Sequence, residues 1–144
     1  MKTRILVANA ARARVLEMSR KHGPVKEIRD LVNPDERLHG RDLISDKPGR
    51  AFDKIGSNRH PMRTATGPKE QLAVRFAKRV MGTLETDLQK QRFDRLCLVA
   101  PPHFLGLLRK QMSGALGRSV EAALTKDLTR EDALRVRAQV APLL

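Results

Sequence analysis

The chain has 144 residues, with 29 Lys plus Arg against 16 Asp plus Glu, a formal net charge of +13 at pH 7. With 40% hydrophobic and 31% charged residues it has the composition of a globular protein, not of a disordered one. Its single cysteine excludes an intrachain disulfide and a cysteine-based zinc cage. No apolar run approaches the ~18 residues of a membrane span. Met1 to Val7 lacks the apolar stretch of a secretory signal, so one cytoplasmic domain over 1–144 is expected. A small domain this basic is expected to meet polyanions, nucleic acid first among them. With four Phe and no Trp or Tyr, it lacks the material for a base-stacking platform. Phosphate contact and shape recognition are the expected mode.

The first third reads as short strands. Ile5-Leu6-Val7-Ala8 is an apolar run, and Arg12 to Met18 follows after four residues. His22-Gly23-Pro24 signals a turn, and Val25 to Val32 is a third, less regular strand. Connections this short favour an antiparallel meander.

Between about residues 34 and 67 periodicity disappears, and Gly40, Pro48, Gly49, Gly56 and Pro61 punctuate the segment. A stretch this long without periodicity inside a compact domain is uncommon, and function is one of the usual reasons for it. Its charge is mostly positive: Arg37, Arg41, Lys47, Arg50, Lys54, Arg59 and Arg63 stand against Asp42, Asp46 and Asp53.

Pro68 opens the clearest helix. Leu72, Ala73, Phe76, Ala77, Val80, Met81, Leu84 and Leu88 trace one apolar stripe at helical spacing. Thr66 or Gly67 can cap it, with Pro68 in the first turn. Leu96-Cys97-Leu98-Val99-Ala100 is a continuous apolar run, as in a central strand covered on both faces. After Pro101-Pro102 a second helix is expected from His103 to Leu116, stopped by Gly117. Val120, Ala122 and Leu124 alternate as a strand, and Thr129 with Asp132 reads as a cap pair opening a terminal helix to about Val140. The expected fold is α/β: a mixed sheet with helices packed on both sides in three layers, order βββ-loop-αβαβα. Ribonuclease-H-like folds share this order.

That order invites a metal-dependent nuclease, which needs carboxylates converging on one point. The first strand carries no acid, Asn9 just beyond it is a neutral amide, and the strand ending at Val99-Ala100 offers none. His39 and His60 match no metal-ligand spacing. Cys97 between Leu96 and Leu98 reads as a buried, inert thiol. No glycine-rich phosphate loop or nucleophile elbow is present. Spacing therefore supports no catalytic residue, no metal and no cofactor.

Several stretches resemble the bacterial family of proteins required for attachment to host cells. They are Leu6 to Arg14, the Arg41 to Phe52-Asp53 segment with its Ser45-Asp46-Lys47-Pro48-Gly49-Arg50 core, Arg59-His60, Pro68-Lys69-Glu70, Arg75-Phe76-Ala77, Phe93 to Arg109, and Lys126 to Thr129. Members of that family often carry Asp at the position of Asn9. The family is in turn similar to the middle domain of archaeal and eukaryotic peptide release factors. In those factors a basic loop carrying Gly-Gly-Gln precedes a long helix. Here Gln71 stands four residues before Arg75-Phe76 in a similar register, but Lys69-Glu70 occupies the place of the glycine pair. Those glycines permit a φ > 0 tip that Lys and Glu disfavour, so the resemblance does not extend to peptide release.

The resemblance implies a basic loop presented to RNA from a rigid sheet-and-helix platform. Arg41, Lys47, Arg50, Lys54, Arg59, His60 and Arg63 are the expected contacts to phosphates of ribosomal RNA or tRNA. Gly49 and Gly56 would allow close backbone approach. Arg75, Lys78 and Arg79 on the adjoining helix extend the patch. The expected partner is RNA or the ribosome. The alternatives are a cytoplasmic regulatory protein that affects attachment through a protein partner, and a hydrolase of a nucleotide or RNA ester using His60 and the loop acids.

Overall fold

The computed structural model describes residues 1–34 and 67–144. Its five-stranded sheet has the order β3-β2-β1-β4-β5, formed by β1 (Thr3–Ala8), β2 (Arg12–Met18), β3 (Val25–Val32), β4 (Arg95–Val99) and β5 (Val120–Leu124). The first three strands make the antiparallel meander expected of short turns, with Ile5 opposite Leu16. β4 then lies parallel to β1 on its other side, Ile5 facing Cys97, and β5 lies parallel to β4. β1 therefore stands at the point where the sheet changes from antiparallel to parallel pairing.

Alternation along these strands sorts the core into two layers. Leu6, Ala8, Val15, Leu96 and Leu98 point to one face, covered by α1 (Pro68–Gln89), α2 (Pro102–Lys110) and α3 (Gly114–Ser119). Ile5, Val7, Leu16, Cys97 and Val99 point to the other, covered by Val136 and Val140 of α4 (Ala133–Val140) and by Leu128. Both faces of β1 and β4 are thus buried, which is why their sequences read as unbroken apolar runs. Full burial of a side chain such as Leu84 or Leu98 is worth about 1.5–3 kcal/mol. Burial also pushes the Cys97 thiol up to about 11, in keeping with an inert structural cysteine.

The long helix begins where the sequence places it, with Gly67 as its cap residue and Pro68 at its first position. The region expected as a single helix from His103 to Leu116 divides in two. Ser113 accepts a hydrogen bond from the Leu116 amide and starts α3, and Glu85 of α1 holds Ser113 through its amide and hydroxyl at 2.8 and 2.7 Å. Gly117 consequently lies inside α3 instead of ending α2. Likewise Asp132 alone caps α4, accepting from the Arg135 amide, whereas Thr129 is buried and serves elsewhere. Ile28 is an extra residue in β3, since Arg29 pairs with Val15 and Glu27 with Leu16. Among the described residues, no helix is long and apolar enough to cross a membrane.

Candidate nucleic-acid interface

α1 is fixed to the sheet at its C-terminal end by a buried ion cluster. Asp87 accepts from Arg4 of β1 at 2.7 Å, with Arg92 at 3.3 Å and Arg29 at 3.4 Å. Burial alone would raise the Asp87 pKa. The Arg4 hydrogen bond and the charges of Arg29, Arg4 and Arg92 outweigh it and hold the carboxyl below its usual range. Arg4 also reaches Glu17 at 2.9 Å and lies over the Phe93 ring, 5.2 Å from its centroid. A buried arginine inside an apolar strand is thereby fully engaged.

Anchored in this way, α1 presents Arg75, Lys78 and Arg79 on one exposed face, at spacings of three and four residues. The apolar stripe of Ala73, Phe76, Ala77 and Val80 turns the other way, into the core. Arg79 donates to the Val32 carbonyl at 3.1 Å and sits 5.9 Å from the Phe76 centroid, which ties the helix to the end of β3. Among the described residues, Arg75 and Lys78 have no hydrogen-bond or ion-pair partner, and both cations face solvent. A shallow cavity of about 150 Å³ lies between α1 and Asn33-Pro34, lined by Leu72, Arg75, Phe76 and Arg79. Pro34, the last residue described before Gly67, belongs to its lining.

The other expected contacts, Arg41, Lys47, Arg50, Lys54, Arg59, His60 and Arg63, with Gly49 and Gly56, lie outside the described residues. Gln71 falls within the first turn of α1, its amide bonded to the Gly67 carbonyl at 3.0 Å. His103, at the start of α2, meets Glu70 of α1 at 2.9 Å on an exposed surface. Among the described residues, no group of three His, Cys, Asp or Glu side chains could hold a metal ion.

A second polar cluster at the carboxyl end of β1 escaped the sequence reading. The Asn9 side-chain oxygen Oδ1 accepts from the backbone amides of Ala11 and Arg12, both at 2.9 Å. Its amide nitrogen donates to Asp127 at 3.0 Å and to Thr129 at 3.2 Å. All four hydrogen-bonding sites of Asn9 are thus in use, and an acidic residue there would set two carboxylates against each other. Arg14, buried in β2, ties the same loop down by donating to the carbonyls of Leu128, Thr129 and Glu131, while it also pairs with Glu27. The one local signal of this device is an arginine standing between Ala13 and Val15 in an inward-facing strand.

The comparisons with known proteins agree with this architecture. A family model described as "Protein required for attachment to host cells" matches residues 4–140. Among solved structures, the chain is similar to an archaeal translation termination factor, aRF1, with a TM-score of 0.57 at 12% identity. That likeness covers 99% of this chain and 35% of the termination factor, so the chain spans about a third of that protein's length. It establishes a shared fold, the α/β arrangement expected from the order of elements and, through the family resemblance, from its likeness to release factors. No curated protein matches the chain.

Proposed function

The chain belongs to the family of proteins required for attachment to host cells, and from that premise we propose that it is a cytoplasmic RNA- or ribosome-binding module. The observation that carries the reading is the exposed face of α1. Arg75 and Lys78 are exposed and, among the described residues, have no hydrogen-bond or ion-pair partner, on a helix that the Arg4–Asp87 pair ties to the sheet. Fixed cations of this kind, in a chain of net charge +13, suit the phosphate backbone of a structured RNA. The fold shared with a translation termination factor makes the ribosome the natural place to look for that RNA. The basic segment 37–63, which lies outside the described residues, is assigned to the same proposed surface on its charge and its place in the sequence between Pro34 and Gly67.

Peptide release is not part of this function. Gln71 lies in the first helical turn behind Lys69-Glu70, a setting unlike the glycine-flanked tip that release chemistry uses. Binding alone, through charge and shape, is the activity we assign. Electrophoretic mobility shift with a structured RNA tests it: the wild-type chain should retard the RNA, and Arg75→Glu/Lys78→Glu should weaken binding at least tenfold. Equal affinity of the two chains would overturn the assignment. The family description favours a second reading, a regulatory protein that acts on attachment through a protein partner. That reading takes over if the wild-type chain binds no RNA.

A further inference from the structure

A cavity of about 350 Å³ opens beside Asn9 at the carboxyl end of β1, lined by Ala11, Arg12, Asp30, Val32, Thr129 and Arg130. It lies at the end of the sheet where β1 and β3 finish and β2 begins, between the β1–β2 turn and the loop that follows β5. Its size falls within the range of small-molecule sites.

We propose that this cavity binds a nucleotide through its phosphate, with Arg12 and Arg130 as the anion contacts. The proposal deepens the RNA reading above and rests on it for the RNA source of the ligand. Three properties of the lining define the ligand class. Two guanidinium groups offer charge-assisted donors to an anion. Asp30 offers an acceptor for a hydroxyl or amino group. Ala11 and the half-exposed Val32 provide an apolar wall for a sugar or base. An anion, a hydrogen-bond donor and an apolar face together describe a nucleotide better than an inorganic ion or a simple carboxylate.

Neither nearby carboxylate opposes the anion freely. Asp30 takes a two-pronged bond from Arg12, Nε at 3.1 Å and Nη2 at 2.8 Å, which orients the guanidinium. Asp127 spends one oxygen on Asn9 and the other on the amide and hydroxyl of Thr129. Arg130, in contrast, makes no hydrogen bond or ion-pair contact among the described residues. Yet its backbone is held on both sides, because Arg14 grips the carbonyls of Thr129 and Glu131. A buried arginine thus fixes the main chain around an exposed one, whose charge also helps hold the Asp127 carboxyl low, and so braces Arg130 at the rim of the cavity. Val32 also links this cavity to the α1 surface, since its carbonyl receives Arg79. A strand of RNA crossing Arg75 and Arg79 would reach Arg12 and Arg130 next.

The test is amide NMR on the full chain, titrated separately with inorganic phosphate, adenosine monophosphate, and a short single-stranded RNA with or without a terminal phosphate. The monophosphate should shift the amides of Ala11, Val32, Thr129 and Arg130, and Arg130→Gln should weaken it by about fivefold or more. Arg12→Lys, which keeps the charge and loses the fork, should weaken it less. Arg75→Glu should leave mononucleotide binding unchanged while weakening RNA. Stronger binding of the phosphorylated RNA than of its hydroxyl counterpart identifies an RNA end as the source, and equal RNA binding with tight monophosphate identifies a free nucleotide. RNA binding with no monophosphate shifts at these four amides overturns the cavity and leaves the RNA reading standing. Monophosphate binding here with no RNA binding does the reverse. Shifts produced equally by phosphate alone also overturn the nucleotide proposal.

Discussion

The Arg4 guanidinium of β1 donates to the Asp87 carboxylate of α1 at 2.7 Å, and both side chains are buried. This pair joins the central strand to the last turns of the long helix, and so sets the direction in which Arg75, Lys78 and Arg79 face. Asp87→Ala would leave Arg4 buried with Glu17 as its one ion-pair partner among the described residues. The expected cost is about 3–5 kcal/mol, read from the midpoint of denaturant unfolding. Arg4→Met/Asp87→Leu should cost less than Asp87→Ala, because no charge is stranded. A single mutant as stable as the parent would show that the helix is positioned by apolar packing alone.

Acid should destabilise the fold through three carboxylates. Asp87, Asp30 and Asp127 are all held below their usual range: Asp30 by its bond from Arg12, Asp87 and Asp127 by hydrogen bonds and nearby arginines that outweigh burial. A carboxyl whose folded pKa lies below its unfolded value of about 3.9 stabilises the protein fully only well above that pH. Its contribution fades as pH falls through the folded value. Stability should therefore be level near neutrality and decline below pH ~4–5, with Asp87→Asn flattening the decline. Thermal melting across an acid series checks this.

The loop after β5 should depend on a residue far away in sequence. Arg14→Met removes the donor to the carbonyls of Leu128, Thr129 and Glu131. A hydrogen bond from a charged donor contributes about 1.5–3 kcal/mol, and the two protons of the Arg14 Nη1 serve all three carbonyls, so their loss should release this loop well before the sheet. Hydrogen exchange should accelerate over residues 127–131 while β1 and β4 stay protected. Unchanged exchange there would show that Asn9 suffices to hold the loop.

The elements legible in the sequence are those whose periodicity is local. Ile5 to Ala8 and Leu96 to Ala100 read as central strands because both faces are buried, and the Leu72 to Leu88 stripe reads as a helix because one face is. The break between α2 and α3 was not legible. Leu105, Leu108, Met112 and Leu116 keep a helical spacing across it, and Glu85, which stabilises the Ser113 cap, is 28 residues away. The α1 part of the candidate interface followed from charges lying off the apolar stripe. The Asn9 cluster did not, because Asn9 meets Asp127 across 118 positions, and that pairing exists only once β5 has been placed in the sheet. Neutral or single charges carry no pattern until topology brings them together.

Cys97 should be inert in the native state. Burial in β4 pushes its thiol up to about 11, so little thiolate forms near neutral pH. Reaction with a thiol reagent should follow global unfolding and speed up with denaturant. Rapid labelling of the native chain would place the sheet's second face closer to solvent than the Ile5, Val7 and Val136 packing allows.

RNA binding at the ribosome through the exposed face of α1 is the proposal on which the rest depends. Co-sedimentation with ribosomes and their subunits across a salt series tests it most directly. Retention near ~0.15 M salt is expected, with Arg75→Glu/Lys78→Glu releasing the protein at lower salt and reducing the salt slope by about 0.7–0.9 for each lost phosphate contact. Wild-type protein that leaves the ribosome at very low salt, or variants that sediment as the parent does, would contradict it.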